Sequence, residues 1–158
     1  MSGTTQVTEV RIERSISGSP ERVYRAWLDP ALISRWMAPG DLRVADVQIE
    51  ERVGGRYRIS QADAGGERGG FDCEIAELVP NERIAFRWGF FGPEGIEQYD
   101  SLLTVSFREA PGGTTLLSLV HARLERLSSA MPDVAANVGL GWEMAIDKLS
   151  ATLADRLA

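Results

Sequence analysis

The strongest constraint in this sequence is how little chain separates its strands. Residues 43–51, 56–62, 70–79, 83–91, 98–109 and 114–124 have strand length and strand composition. Between them stand Gly54-Gly55, a glycine-rich stretch from Gly65-Gly66 to Gly69-Gly70, Pro80-Asn81, Gly92-Pro93-Glu94-Gly95 and Pro111-Gly112-Gly113. Turns of that kind join neighbours running in opposite directions, because a parallel pair needs a crossover of about a dozen residues or more. The middle of the chain is therefore expected to be an antiparallel meander.

The flanks supply what a meander lacks. Residues 7–17 alternate Val7, Glu9 and Arg11 against Thr8, Val10 and Ile12, which reads as a further strand with one polar face. Ser19-Pro20 and Asp29-Pro30 each read as a helix N-cap followed by a first-turn proline. Two short helices follow from them, carrying Val23, Ala26 and Trp27, then Leu32, Ile33, Trp36 and Met37, and ending at Pro39-Gly40. At the other end Val134, Val138, Trp142, Ile146, Leu149 and Leu153 recur every three or four residues, with Pro132 as a first-turn residue. The expected order is β-α-α, six strands, then a long helix. This is an α+β fold in which a curved seven-stranded antiparallel sheet wraps the one helix long enough to cover its apolar face. Gly139 and Gly141 lie inside that helical pattern. They mark either a close approach or bend of the helix, or a helix that begins only near Gly141.

Composition narrows the function. The 158 residues are 44% apolar and 25% charged, as in an ordinary globular domain, and a single domain spanning 1–158 is expected. A net charge of −6 gives no overall attraction for nucleic acid or anionic membranes. Residues 1–6 lack a secretory pattern and no run approaches the ~18 apolar residues of a membrane span, so a cytoplasmic protein is expected. With one cysteine, Cys73, and one histidine, His121, there is no disulfide and no zinc ligand set, and no metal or other cofactor is expected.

Four segments together resemble the SRPBCC (START-like, helix-grip) superfamily, and within it the group named for activator of Hsp 90 ATPase homologues. They are SPERVYRAWLDPALISRWMAP at 19–39, Gly54-Gly55-Arg56-Tyr57-Arg58, ELVPNERIAFRW at 77–88, and Gly141-Trp142 four residues before Ile146-Asp147-Lys148-Leu149. The resemblance implies a helix-grip fold with a cavity between sheet and long helix. The eukaryotic chaperone activator resembled by name carries a second, N-terminal domain that does much of the chaperone binding. These residues match one domain, which lowers the expectation of a chaperone role.

Strand alternation assigns the inward faces. Tyr57 and Ile59, Phe71, Cys73 and Ile75, Ile84, Phe86, Trp88 and Phe90, then Tyr99, Ser101, Leu103, Val105 and Phe107, and finally Leu117, Leu119 and His121 are expected to point toward the helix. The residues expected to line a ligand site are Trp36, Met37, Tyr57, Phe71, Trp88, Phe90, Tyr99, Ser101, His121, Val138 and Trp142. An apolar, aromatic lining with a few polar atoms suits a small hydrophobic molecule, and it equally describes a filled core. The first expectation is a small-molecule-binding domain without a built-in cofactor, with a stress-related role among the options. One alternative is an enzyme similar to the polyketide cyclases and dehydratases of this fold, drawing on His121, Tyr99, Tyr57 and Arg35. Another is a co-chaperone-like module acting through its surface. No strong acid–base pair is visible: Glu50-Glu51 point to opposite faces, Glu74 and Glu77 differ in parity, and Glu143, Asp147 and Lys148 read as solvent face. Gly65–Gly70 reads as a hairpin loop and not a phosphate cradle. Exposed edge strands leave a homodimer open.

Overall fold

The computed structural model of the chain describes residues 8–38, 40–92, 95–130 and 135–155. The order of elements is β1 (Val10–Ser17), α1 (Pro20–Ala26), α2 (Pro30–Trp36), β2 (Arg43–Ile49), β3 (Arg56–Asp63), β4 (Gly66–Val79), β5 (Arg83–Gly92), β6 (Gly95–Ala110), β7 (Thr114–Ala122), α3 (Glu125–Ala130) and α4 (Val138–Asp155). Among the described residues the seven strands form one antiparallel sheet in the order β1-β7-β6-β5-β4-β3-β2. The sheet curls into a half-barrel, and α4 covers its concave face. Since β1 and β2 are the two edges, α1 and α2 carry the chain from one edge to the other. The expected α+β helix-grip architecture is the one observed.

The helix starts form as their caps dictate. The Ser19 side chain accepts a hydrogen bond from Arg22 N at 3.3 Å, and Asp29 accepts one from Ala31 N at 2.9 Å. Side chains from elsewhere satisfy the carbonyls at the end of α1. Trp36 Nε1 donates to Ala26 O at 3.0 Å and the Tyr57 hydroxyl donates to Trp27 O at 2.7 Å. These bonds bind α1 to α2 and to β3. On α4 the buried stripe is Val138, Trp142, Ala145, Ile146, Leu149 and Leu153. Pro132 and Val134 lie outside the described residues.

The structure departs from the sequence reading in four places. The first is the Gly65–Gly70 stretch, which is mostly strand. A Cβ on Gly70 (φ +156°) would overlap the Ile59 carbonyl of β3, so glycine permits β4 to pair this tightly. The second is α3, whose 6 residues are too few to show a helical period although Leu124 and Leu127 are fully buried. The third is a register shift between Ile75 and Glu77, which breaks the alternation on β4. Glu74 pairs with Arg87 and Glu77 with Arg83 at 2.6 Å, so both serve surface ion pairs in spite of their opposite parity. The fourth is Lys148. Its ammonium donates to the carbonyls of Ala38, Gly40 and Leu42 at 2.6, 2.8 and 3.2 Å, holding the segment between α2 and β2 onto α4. Asp147, its neighbour, is exposed as expected and pairs with Arg14.

Both glycines of α4 lie inside the helix, which begins at Val138. A Cβ on Gly139 would meet Val10 at 3.6 Å, an ordinary contact, so no close approach requires glycine there.

Replacing Lys148 by methionine removes three charge-assisted bonds and leaves their carbonyls without that donor. The expected loss is about 2–3 kcal/mol, read as a lower urea midpoint at unchanged m-value. Asp147→Ala, which removes only the exposed pair with Arg14, is expected to leave the midpoint near wild type.

Candidate functional site

Aromatic side chains from three strands and three helices meet between the sheet and α4. The Trp88 ring lies 4.7 Å from Phe71, 5.6 Å from Phe86, 5.3 Å from Trp142 and 6.0 Å from His121, centroid to centroid. Phe71 and Trp142 are stacked at 6.3 Å, and Phe90 stacks on the His121 ring at 6.1 Å. Trp27 joins from the end of α1, 5.9 Å from Trp142 and 4.7 Å from Trp36. Phe71 and Phe90 are only partly buried, whereas Trp88 is 1% and His121 0% exposed. The cluster thus runs from a rim to the interior. The register of β6 on β5 shifts opposite this pair, with Trp88 facing Ser101 and Phe90 facing Glu97, so the extra residues lie on β6 and Trp88 and Phe90 keep their plain alternation on β5.

One line of hydrogen bonds crosses this cluster from helix to sheet. Trp142 Nε1 lies 3.1 Å from His121 Nδ1. An indole N–H can only donate, so Nδ1 is the acceptor and the imidazole proton sits on Nε2. His121 Nε2 is 3.0 Å from Ser101 Oγ and donates to it, and the Ser101 hydroxyl in turn donates to Trp88 O at 2.8 Å. Every polar atom in the line has a partner in a consistent direction. Burial pushes the His121 pKa from 6.5 down to about 3, so the ring is neutral at physiological pH. In this arrangement His121 presents a proton to Ser101 and does not draw one from it. Cys73 lies beside the cluster on β4, buried, with Sγ 3.9 Å from Gly89 O, and burial raises its pKa well above the ordinary thiol value. It is a protonated thiol and a poor nucleophile.

Two buried indole N–H groups, those of Trp27 and Trp88, have no hydrogen-bond partner among the described residues. A buried donor left unpaired costs about 1–3 kcal/mol, and most native proteins keep few of them.

The structure brings together Phe71, Trp88, Phe90, Ser101, His121 and Trp142, with Tyr57 beside them at 4.6 Å from Phe86. The hydroxyl of Tyr57 and the indole N–H of Trp36 are engaged on α1 carbonyls. Met37 is buried and its carbonyl accepts from Gln61 Nε2 at 3.0 Å. Val138 stands one turn before Trp142 on α4, 8% exposed. Arg35 lies in the last turn of α2. Tyr99 is a β6 residue whose side chain lies outside the described set. Trp27 was expected only as an α1 helix residue. Nothing in the sequence put it against Trp142 or Trp36.

Comparison with known families and structures follows the same outline. Residues 17–154 match the family model described as Activator of Hsp90 ATPase homolog 1-like protein. A solved structure from Chromobacterium violaceum is 31% identical, covers 91% of this chain and 96% of its own, and superposes with a TM-score of 0.76. One from Rhizobium leguminosarum is 27% identical over 93% of this chain and 94% of its own, at a TM-score of 0.68. A Silicibacter pomeroyi protein described as AHSA1 shares the fold at 21% identity and a TM-score of 0.76, over 94% of this chain and 99% of its own. Comparison with proteins of curated function finds no match. Among the described residues no helix is long and apolar enough to cross a membrane.

The neutral, buried state of His121 predicts a pH dependence with a definite sign. An unfolded chain takes up a proton near pH 6.5, whereas the folded one does so only near pH 3. The stability contribution is complete above pH 6.5 and is lost as pH falls from there toward 3, with a limiting slope of about 1.4 kcal/mol per pH unit. Urea titrations between pH 4 and 7 should give a steeper slope for the wild type than for His121→Gln. Equal slopes would show that His121 is not buried neutral.

Proposed function

This chain belongs to the Activator of Hsp90 ATPase homolog 1-like protein family, and we propose that it is a small-molecule-binding domain whose ligand lies between the concave sheet and α4. The observation that carries the reading is the aromatic series from the half-buried Phe71 and Phe90 to the interior Trp88, Trp142 and His121. Flat apolar molecules bind by offset stacking and edge contacts with such rings, each pair adding about 0.5–1.5 kcal/mol beyond buried area. A rim of partly exposed phenylalanines gives such a molecule a way in. The polar line from Trp142 to Trp88 O holds the walls in register, because breaking any of its bonds strands a buried donor or acceptor.

Holding a ligand fits these residues better than transforming one. General-base action by His121 would need its Nε2 free of a proton, and the Trp142 N–H at Nδ1 keeps it protonated. Cyclase- or dehydratase-like turnover would therefore have to come from other groups.

A thermal-shift panel of flat, hydrophobic metabolites tests the reading. A ligand at about 100 times its Kd should add roughly 2.7 kcal/mol of stability. The gain is expected to be lost in Trp142→Ala and in the milder rim variant Phe90→Ala. A cooperatively melting wild type that no compound shifts would overturn it.

A further inference from the structure

The polar atoms of the aromatic cluster say what kind of molecule would suit it. The hydrogen-bonding groups already engaged are the Trp142 N–H, both imidazole nitrogens of His121, the Ser101 hydroxyl, the Tyr57 hydroxyl and the Trp36 N–H. The buried polar atoms left without any partner among the described residues are both donors. Trp88 Nε1 is buried without a partner among the described residues, and so is Trp27 Nε1, each on a ring packed against Trp142. Indole nitrogen cannot accept a hydrogen bond, so only an acceptor can satisfy it. The side chains whose rings surround Trp88 are Tyr57, Phe71, Phe86, His121 and Trp142, and none offers a full charge to an ionised partner. An ion entering there would give up its hydration with no counter-charge from these rings in return. Trp88 pairs with Ser101, the last regular pair before the register of β6 on β5 shifts.

We infer that the site takes a flat, uncharged molecule bearing a carbonyl oxygen, of the ketone, quinone or lactone kind, and that the Trp88 indole N–H receives that oxygen. This rests on the binding reading above and adds the polarity of the ligand to it. A hydrogen-bond donor or an ammonium leaves the Trp88 N–H unmatched, and a carboxylate matches it but brings a charge that the surrounding rings do not balance.

Four probes on one carbon frame separate these chemistries: indane, 1-indanone, protonated 1-aminoindane and indane-1-carboxylate. Affinities are measured by calorimetry. The four tryptophan indole N–H resonances are followed in ¹⁵N-labelled wild-type protein. Partition from water alone favours indane over its ketone. The inference expects the reverse, with 1-indanone roughly five- to tenfold tighter than indane and the two ionised probes weakest. It also expects the Trp88 indole proton to move downfield with 1-indanone but not with indane. Trp88→Phe should abolish the preference for the ketone while leaving indane affinity within about threefold; the resonance shift in the wild type decides the question if that variant does not fold. Should indane and 1-indanone bind alike with the Trp88 resonance unmoved, the inference fails and the binding reading stands. Binding by neither these probes nor any compound of the wider panel would overturn both.

Discussion

Covering the concave face of a curled sheet with a single helix puts a demand on every polar atom between them. Water is excluded there, so a donor or acceptor must be matched inside the protein or by something bound. Trp142 meets that demand at the centre. Its ring packs on Phe71, Trp88 and Trp27, and its N–H begins the line that runs through His121 and Ser101 to the β5 backbone. Helix position, imidazole tautomer and the pairing of three strands are linked through this one indole. The chemistry of His121 follows from its place in the line more than from its being a histidine.

The same logic governs the closed end of the half-barrel. Two short helices have few hydrogen bonds of their own and many orphan carbonyls. Trp36 and Tyr57 cap α1, Gln61 reaches the Met37 carbonyl, and Lys148 gathers three carbonyls beyond α2. Residues that alternation marks as candidates for a ligand face thus have their polar ends committed to the scaffold. The outer face of the sheet contrasts with this. There arginine and acidic side chains pair across strands, as with Arg56 and Arg58 on Asp72, and Arg58 also lies 4.1 Å over the Phe91 ring. Such pairs keep that face solvated.

What could be read in the sequence was what local chemistry determines. Ser19-Pro20 and Asp29-Pro30 announce their helices, short turns announce antiparallel strands, and the stripe through Trp142 and Leu149 announces α4. Strand parity put Trp88, Ser101 and His121 on one face. The remainder depends on partners distant in the chain. Alternation cannot reveal the slip between Trp88 and Phe90 or that between Ile75 and Glu77, because a bulge is settled jointly by two strands. Lys148 looks like a solvent residue until the carbonyls of residues 38, 40 and 42 come within its reach. The direction of the His121 hydrogen bonds follows from Trp142, which no spacing rule connects to it.

The pairing of the first strand with the last has a consequence for how the molecule assembles. Val10 lies opposite His121 across the β1–β7 ladder, and Lys148 and Ala38 meet across 110 residues of chain. Contacts of such separation must be closed against chain entropy before they return any stability, which slows folding far more than it lowers the final free energy. The aromatic cluster forms where these long closures converge, so no fragment of the chain holds it in working order. Its integrity therefore reports on the closure of the whole sheet and not on any one hairpin.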